Sequence, residues 1–116
     1  MAKDDYHVLV YQILSYLYQR LKKGEKVDSA MLMYDSPILN INKSYWAYII
    51  YNIAEQELVD GIDFANIDGL DFPYAAKLDE CFITPKGIEY LCDNSFMKKA
   101  VRYLKEIKEI IPFDIL

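Results

Sequence analysis

Apolar residues in this chain return every three or four positions up to about Leu58. They shift toward alternation between Val59 and Ile83, and then resume helical spacing. This change of period constrains the fold most, because a 3.6-residue repeat buries one face of a helix and a 2-residue repeat one face of a strand. With 116 residues, 53% of them hydrophobic, the chain can bury one contiguous core, so a single domain over residues 1–116 is expected.

Leu9, Ile13, Leu17 and Leu21, with Val10 and Leu14 beside them, predict a helix from about Asp5 to Lys22 with one broad apolar face. Basic residues in its last turn and Gly24 beyond it are C-terminal signals. Ser29 to Tyr34 has room for one or two helical turns before Ser36-Pro37. Asn42 is placed to cap a helix over about 43–58 whose inward residues are Trp46, Ile49, Ile50, Ile53 and Ala54. Val59, Ile62 and Phe64 then read as a strand, Asp68-Gly69 and Pro73 as turn residues, and Leu78 to Ile83 as the returning strand of a two-stranded hairpin. Thr84-Pro85 starts a helix with Ile88, Leu91 and Cys92 inward, ending near Asp93-Asn94. Ser95 is the expected cap of a last helix carrying Ala100, Val101, Leu104, Ile107 and Ile111, stopped by Pro112.

A lone hairpin is stable only when packed on something. The order helix, short helix, helix, hairpin, helix, helix therefore predicts an α+β, mostly helical fold. Its type is a winged helix-turn-helix with a two-stranded wing and additional C-terminal helices.

Catalytic and metal chemistry find little material here. The one histidine, His7, lies in the first turn of a helix, and a nucleophilic triad needs a positioned base. Cys81 and Cys92 are too few and too far apart for an ordinary zinc site, and are read as free thiols of a reducing cytoplasm. The acidic stretch from Asp60 to Asp71 lacks the alternating carboxylates and twelfth-position glutamate of a calcium loop. No catalytic, cofactor or metal residues are expected. The first residues, MAKDDYHVLV, show no signal-peptide pattern, and no apolar stretch is long enough for a membrane span, so a cytoplasmic protein without a membrane partner is expected.

Charge is unevenly spread around a net −5. Eight acids and one base lie between Glu55 and Glu80, whereas five bases and one acid lie between Lys98 and Lys108. Opposite the core face of the 43–58 helix stand Lys43, Ser44, Tyr45, Tyr48, Tyr51, Asn52 and Glu55, an aromatic stripe with one cation at its start. That stripe has three readings: a DNA-reading face, a protein interface, or packing under neighbouring segments. The acidic wing beside it opposes phosphate binding and places the protein interface slightly ahead. Lys98, Lys99, Arg102 and Lys105 form a second, basic ridge at spacings of three and four. It is open to DNA in an unusual orientation, to the acidic wing of a second copy, or simply to solvent.

Residues Leu39 to Ile62, with Ile41, Trp46, Ile50, Ile53, Glu57 and Gly61-Ile62, are similar to the third helix and first wing strand of the YjcQ family. Ile83-Thr84-Pro85-Lys86-Gly87, then Tyr90-Leu91, Asn94, Lys99-Ala100 and Leu104 to Lys108, resemble that family's ending more specifically. The likeness covers about the C-terminal two-thirds of the chain. It implies a small winged-helix protein of Gram-positive bacteria or their phages, and it transfers no reaction or ligand. The expected function is a non-enzymatic, phage-related or prophage-related regulatory binding module acting through a protein partner or DNA. A transcriptional regulator reading DNA through helix 43–58, a phage-encoded inhibitor or interaction protein targeting a host factor, and a homodimer formed through the terminal helices stand as alternatives.

Overall fold

The computed structural model describes residues 1–107. Helix α1 (Tyr6–Lys23) is buried without interruption from Val8 to Leu17. A helix buried on every side sits at the centre of a fold rather than on its surface. Around it lie the later helices and one short strand. The expected single apolar face is thus widened to the full circumference over three turns, whereas Leu21, expected on that face, is 50% exposed. Burial stops at Leu17, and the last turn, with Arg20, Lys22 and Lys23, meets solvent. Gly24, at φ 66°, closes the helix in the left-handed region as its position predicted.

A 3-10 helix (Ser29–Leu32) follows, with Asp28 accepting from the Ala30 amide. The buried Trp46 ring donates its Nε1 proton to the Leu32 carbonyl at 2.7 Å, which ties this short turn to helix α2 (Lys43–Glu55). Asn42 caps α2 by accepting from the Tyr45 amide at 2.8 Å. Trp46, Ile49, Ile50 and Ile53 are buried as their spacing predicts, and Ala54 is half-buried.

The helix expected over 43–58 ends three residues early. Glu57, at φ 63°, turns the chain, and the amides of Glu57 and Leu58 return to the carbonyls of Ala54 and Ile53. This is the double bond of a Schellman ending, built on a glutamate where glycine is usual. Leu58 keeps its buried place from outside the helix.

The hairpin is longer and more broken than its sequence pattern suggests. Strands β1 (Val59–Asp60) and β4 (Phe82–Ile83) form an inner antiparallel pair, and β2 (Asp63–Ala65) and β3 (Tyr74–Lys77) an outer one. The returning strand expected at Leu78 to Ile83 is therefore corrected. Its pairing is supplied by Tyr74–Lys77 and Phe82–Ile83, and Leu78 to Cys81 form a turn between them. Both edges break at one level for a steric reason. Gly61 adopts φ 82°, its backbone lies against the Glu80 carbonyl, and a β-carbon there would overlap that oxygen.

Thr84 begins helix α3 (Pro85–Asp93), its hydroxyl accepting from the Gly87 amide at 2.9 Å. Gly87 and Leu91 are the buried positions, while Ile88 and Cys92, expected inward, are only half-buried. Gly87 explains the shift: α3 approaches the Leu58 carbonyl so closely that a side chain there would collide with it. Helix α4 (Ser95–Glu106) is capped by Asn94 rather than by Ser95, because Asn94 Oδ1 accepts from the amides of Phe96 and Met97. Met97, Ala100, Val101 and Leu104 form its buried stripe. Ile107 is exposed at the end of α4, and Ile111 and Pro112 lie outside the described residues. The architecture is α+β and about half helical, with four α-helices and two short strand pairs among the described residues.

Candidate functional site

The tyrosine stripe of α2 lies partly beneath the chain's own ribbon. Tyr51 packs edge-on to Phe64 of β2, with ring centres 5.8 Å apart, and tilts against Phe72 at 6.1 Å. Tyr48 meets the same Phe72 at 5.1 Å in a T-shaped contact. Such pairs contribute about 0.5–1.5 kcal/mol each beyond their area. The outer ribbon is therefore clasped to α2 by ring edges. Two of the expected tyrosines are half-buried, and Tyr48 stands out at 41% exposed.

The remaining stripe residues divide between hydrogen-bonded and exposed. Tyr45 donates its hydroxyl proton to the Asp4 carbonyl at 2.8 Å, fixing the segment that precedes α1. Burial, and then the carboxylates of Asp4 and Asp5, push its pKa up. Asn52 donates its side-chain amide to the Tyr48 carbonyl one turn back, also at 2.8 Å. Lys43 is exposed with its ammonium 5.1 Å from the Tyr74 ring centre, a cation–π distance, and Ser44 is exposed beside it.

Beyond Tyr48 the aromatic surface continues where no single segment foretold it. Tyr6 lies 6.1 Å from Tyr48 and 5.2 Å from His7, and His7 stacks on Phe96 of α4 at 4.2 Å with planes 5° apart. Lys99 places its ammonium 5.4 Å from the Phe96 ring centre. The result is a strip running Lys99, Phe96, His7, Tyr6, Tyr48, Phe72 across three helices and the ribbon loop. Tyr6, His7, Phe72 and Phe96 were missed in the sequence, since they belong to three segments that only the fold brings together. Phe96 carried one faint signal, a large aromatic outside the buried spacing of its helix; it is 45% exposed.

Burial shifts the titrating groups of the strip in the directions expected for neutral forms. It raises Tyr6, against the hydrogen bond from Gln56, and lowers His7, against the pull of Asp5. His7 sits in the stack with its Nδ1 buried and without a hydrogen-bond partner among the described residues.

The basic ridge is present and separate from the tyrosines. Lys98, Lys99, Arg102 and Lys105 are all exposed on α4, away from the stripe of Met97, Ala100, Val101 and Leu104. Lys99 reaches the aromatic strip through Phe96; Lys108 lies outside the described residues. The acids Asp63, Asp68 and Asp71 are exposed at the other end, on the outer ribbon and its loop.

Elsewhere, three shallow depressions sit beside Leu21 and Phe82, beside Leu58 and Tyr90, and beside Glu57 and Lys86. His7 lines none of them. Among the described residues, no three His, Cys, Asp or Glu side chains converge as a metal ion requires, and no helix is long and apolar enough to cross a membrane. Cys81 is buried, its thiol pushed up to about 12 chiefly by desolvation, and Cys92 is half-buried; both are free.

Neither the curated proteins nor the solved structures yield a match to this chain. One family does match, described as YjcQ protein, over residues 11–110. That span takes in most of α1, which lies outside the C-terminal two-thirds that carry the resemblance in sequence, and since it covers far more than half of the sequence, the chain belongs to the YjcQ family.

Proposed function

We propose that this protein is a non-enzymatic, phage-related or prophage-related regulatory module of winged-helix type, which acts by binding a protein partner on the aromatic strip of α2 and the ribbon. In this reading α1, the 3-10 turn and α2 are the trihelical nucleus, and the four strands are the wing. One observation carries it: the α2 face that a helix-turn-helix reader would lay in a major groove is clasped by its own ribbon through Tyr51, Phe64 and Phe72. What stays outward, Tyr48 with Tyr6 and Phe72 beside it, has the aromatic character enriched at the centre of protein interfaces.

Electrostatics weigh the same way. Asp63, Asp68 and Asp71 stand exposed where a wing would approach a duplex, and phosphate contacts supply most of the affinity of nonspecific DNA binding. The test is fluorescence anisotropy on random and operator-like duplexes, begun at low ionic strength and carried through a salt titration. No binding is expected. Duplex binding that weakens on both Lys43→Glu and Tyr48→Ala would overturn the proposal in favour of a transcriptional regulator reading DNA through α2. For the protein partner itself, Tyr48→Ser is the informative change, because Tyr45 and Tyr51 also hold the fold together.

A further inference from the structure

The aromatic strip has opposite charges at its two ends, and this property points to one occupant. At the α4 end Lys99 lies over Phe96, with Arg102 exposed one turn further along. At the ribbon end Asp71 adjoins Phe72, with Asp68 and the 38%-exposed Ile67 in the same loop. Between them run His7, Tyr6 and Tyr48 in unbroken ring contact. A uniformly basic partner would satisfy the aspartates and oppose Lys99; a uniformly acidic one would do the reverse. The surface that matches both ends is one with the same pattern turned by 180°, and this chain supplies it.

We infer that a second copy of the chain docks on this strip about a two-fold axis near Tyr6 and Tyr48, with the Lys99 end of each copy facing the Asp71 end of the other. A two-fold interface uses the same patch on both partners and must be self-complementary, and an aromatic centre between oppositely charged ends meets that condition. The exposed Tyr48 ring and the half-buried Tyr6 and His7 beside it supply area at the middle, and the charged ends set the register and exclude the parallel alignment. The inference rests on the protein-interface reading of the strip and names its partner.

Sedimentation velocity over a concentration series at low ionic strength tests it. The wild-type mass is expected to rise from one chain toward two as concentration increases. Tyr48→Ser, Lys99→Glu and Asp71→Lys, each shown to remain folded by circular dichroism, should each weaken association about tenfold or more, since the first removes the exposed central ring and the other two make like charges meet twice per dimer. The decisive sample is an equimolar mixture of the Lys99→Glu and Asp71→Lys proteins. Both end contacts are attractive in that pair, so the mixture should dimerise although neither variant does alone. A chain that stays monomeric at every concentration, a dimer indifferent to all three changes, or a mixture no stronger than its components overturns the inference. If the chain is monomeric while Tyr48→Ser still weakens capture of a foreign protein, the second copy is excluded and the interface reading stands. Duplex binding lost on Lys43→Glu and Tyr48→Ala removes both.

Discussion

The inner and outer halves of the ribbon are continuous in sequence but held by different forces. In the inner pair, Val59 and Ile83 are opposite one another and 3% and 2% exposed, sealed into the same core as α1. Its base is bonded to the start of α3, where the Thr84 amide donates to the Leu58 carbonyl at 3.1 Å and the Thr84 hydroxyl to the Glu57 carbonyl at 2.6 Å. The outer pair is made of exposed and half-buried residues, with Ala75 its one fully buried position. It is held to α2 by ring edges: Phe64 and Phe72 against the tyrosines, and Tyr74 against Trp46 at 5.1 Å. Close-packed aliphatics with backbone bonds build a fixed base. Partly solvated rings keep the outer half attached while leaving it a surface, and local opening is easiest where buried contacts are few.

The hinge between the halves is where the contrast breaks most completely. Gly61→Ala forces a β-carbon into the left-handed region and against the Glu80 carbonyl. We expect a loss of about 2–4 kcal/mol, read as a lower urea midpoint in chemical denaturation. A midpoint unchanged from wild type would show that the two halves are not locked together there. A smaller effect should follow Phe64→Ala, which removes an outer clasp without touching the inner pair. About 1–2 kcal/mol is expected, with hydrogen exchange quickening in Asp63–Ala65 and Tyr74–Lys77 but not in Val59–Asp60. Equal quickening in both pairs would mean that the ribbon opens as one unit. The smallest change is a gain: Glu57→Gly relieves the positive φ at the foot of the inner pair and should stabilise by about 0.5–1 kcal/mol in thermal unfolding. The exposed Lys86 partner lost with it, at 4.0 Å, counts for little.

The same contrast explains what could be read in advance. The helices were legible because Trp46, Ile49, Ile50 and Ile53, or Ala100, Val101 and Leu104, recur at the interval that buries them, and Asn42 and Thr84 announce their own capping bonds. The existence of the β-ribbon was legible from turn residues and alternation. Its register was not, because Gly61 and the Leu78–Cys81 turn break both edges together, and that coincidence depends on a contact between residues nineteen apart. At the candidate site, Tyr45, Tyr48 and Tyr51 were identified from one helix. Their meaning changed once Phe64 and Phe72 covered part of them, and Tyr6, His7 and Phe96 joined from elements whose spacing says nothing about each other. Long-range ring contacts leave no periodic trace.

Asn94 ends α3 and starts α4, so one residue is the whole connection between them. There is no slack in which to absorb an inserted or deleted residue. Each residue of a helix advances the rotation by about 100°, so a single insertion at this joint would either swing Phe96 and Lys99 round to another side of the molecule or drag Met97 and Leu104 out of the core. The rotational phase of α4, and with it the direction in which its charges point, is thereby set by the length of a one-residue hinge.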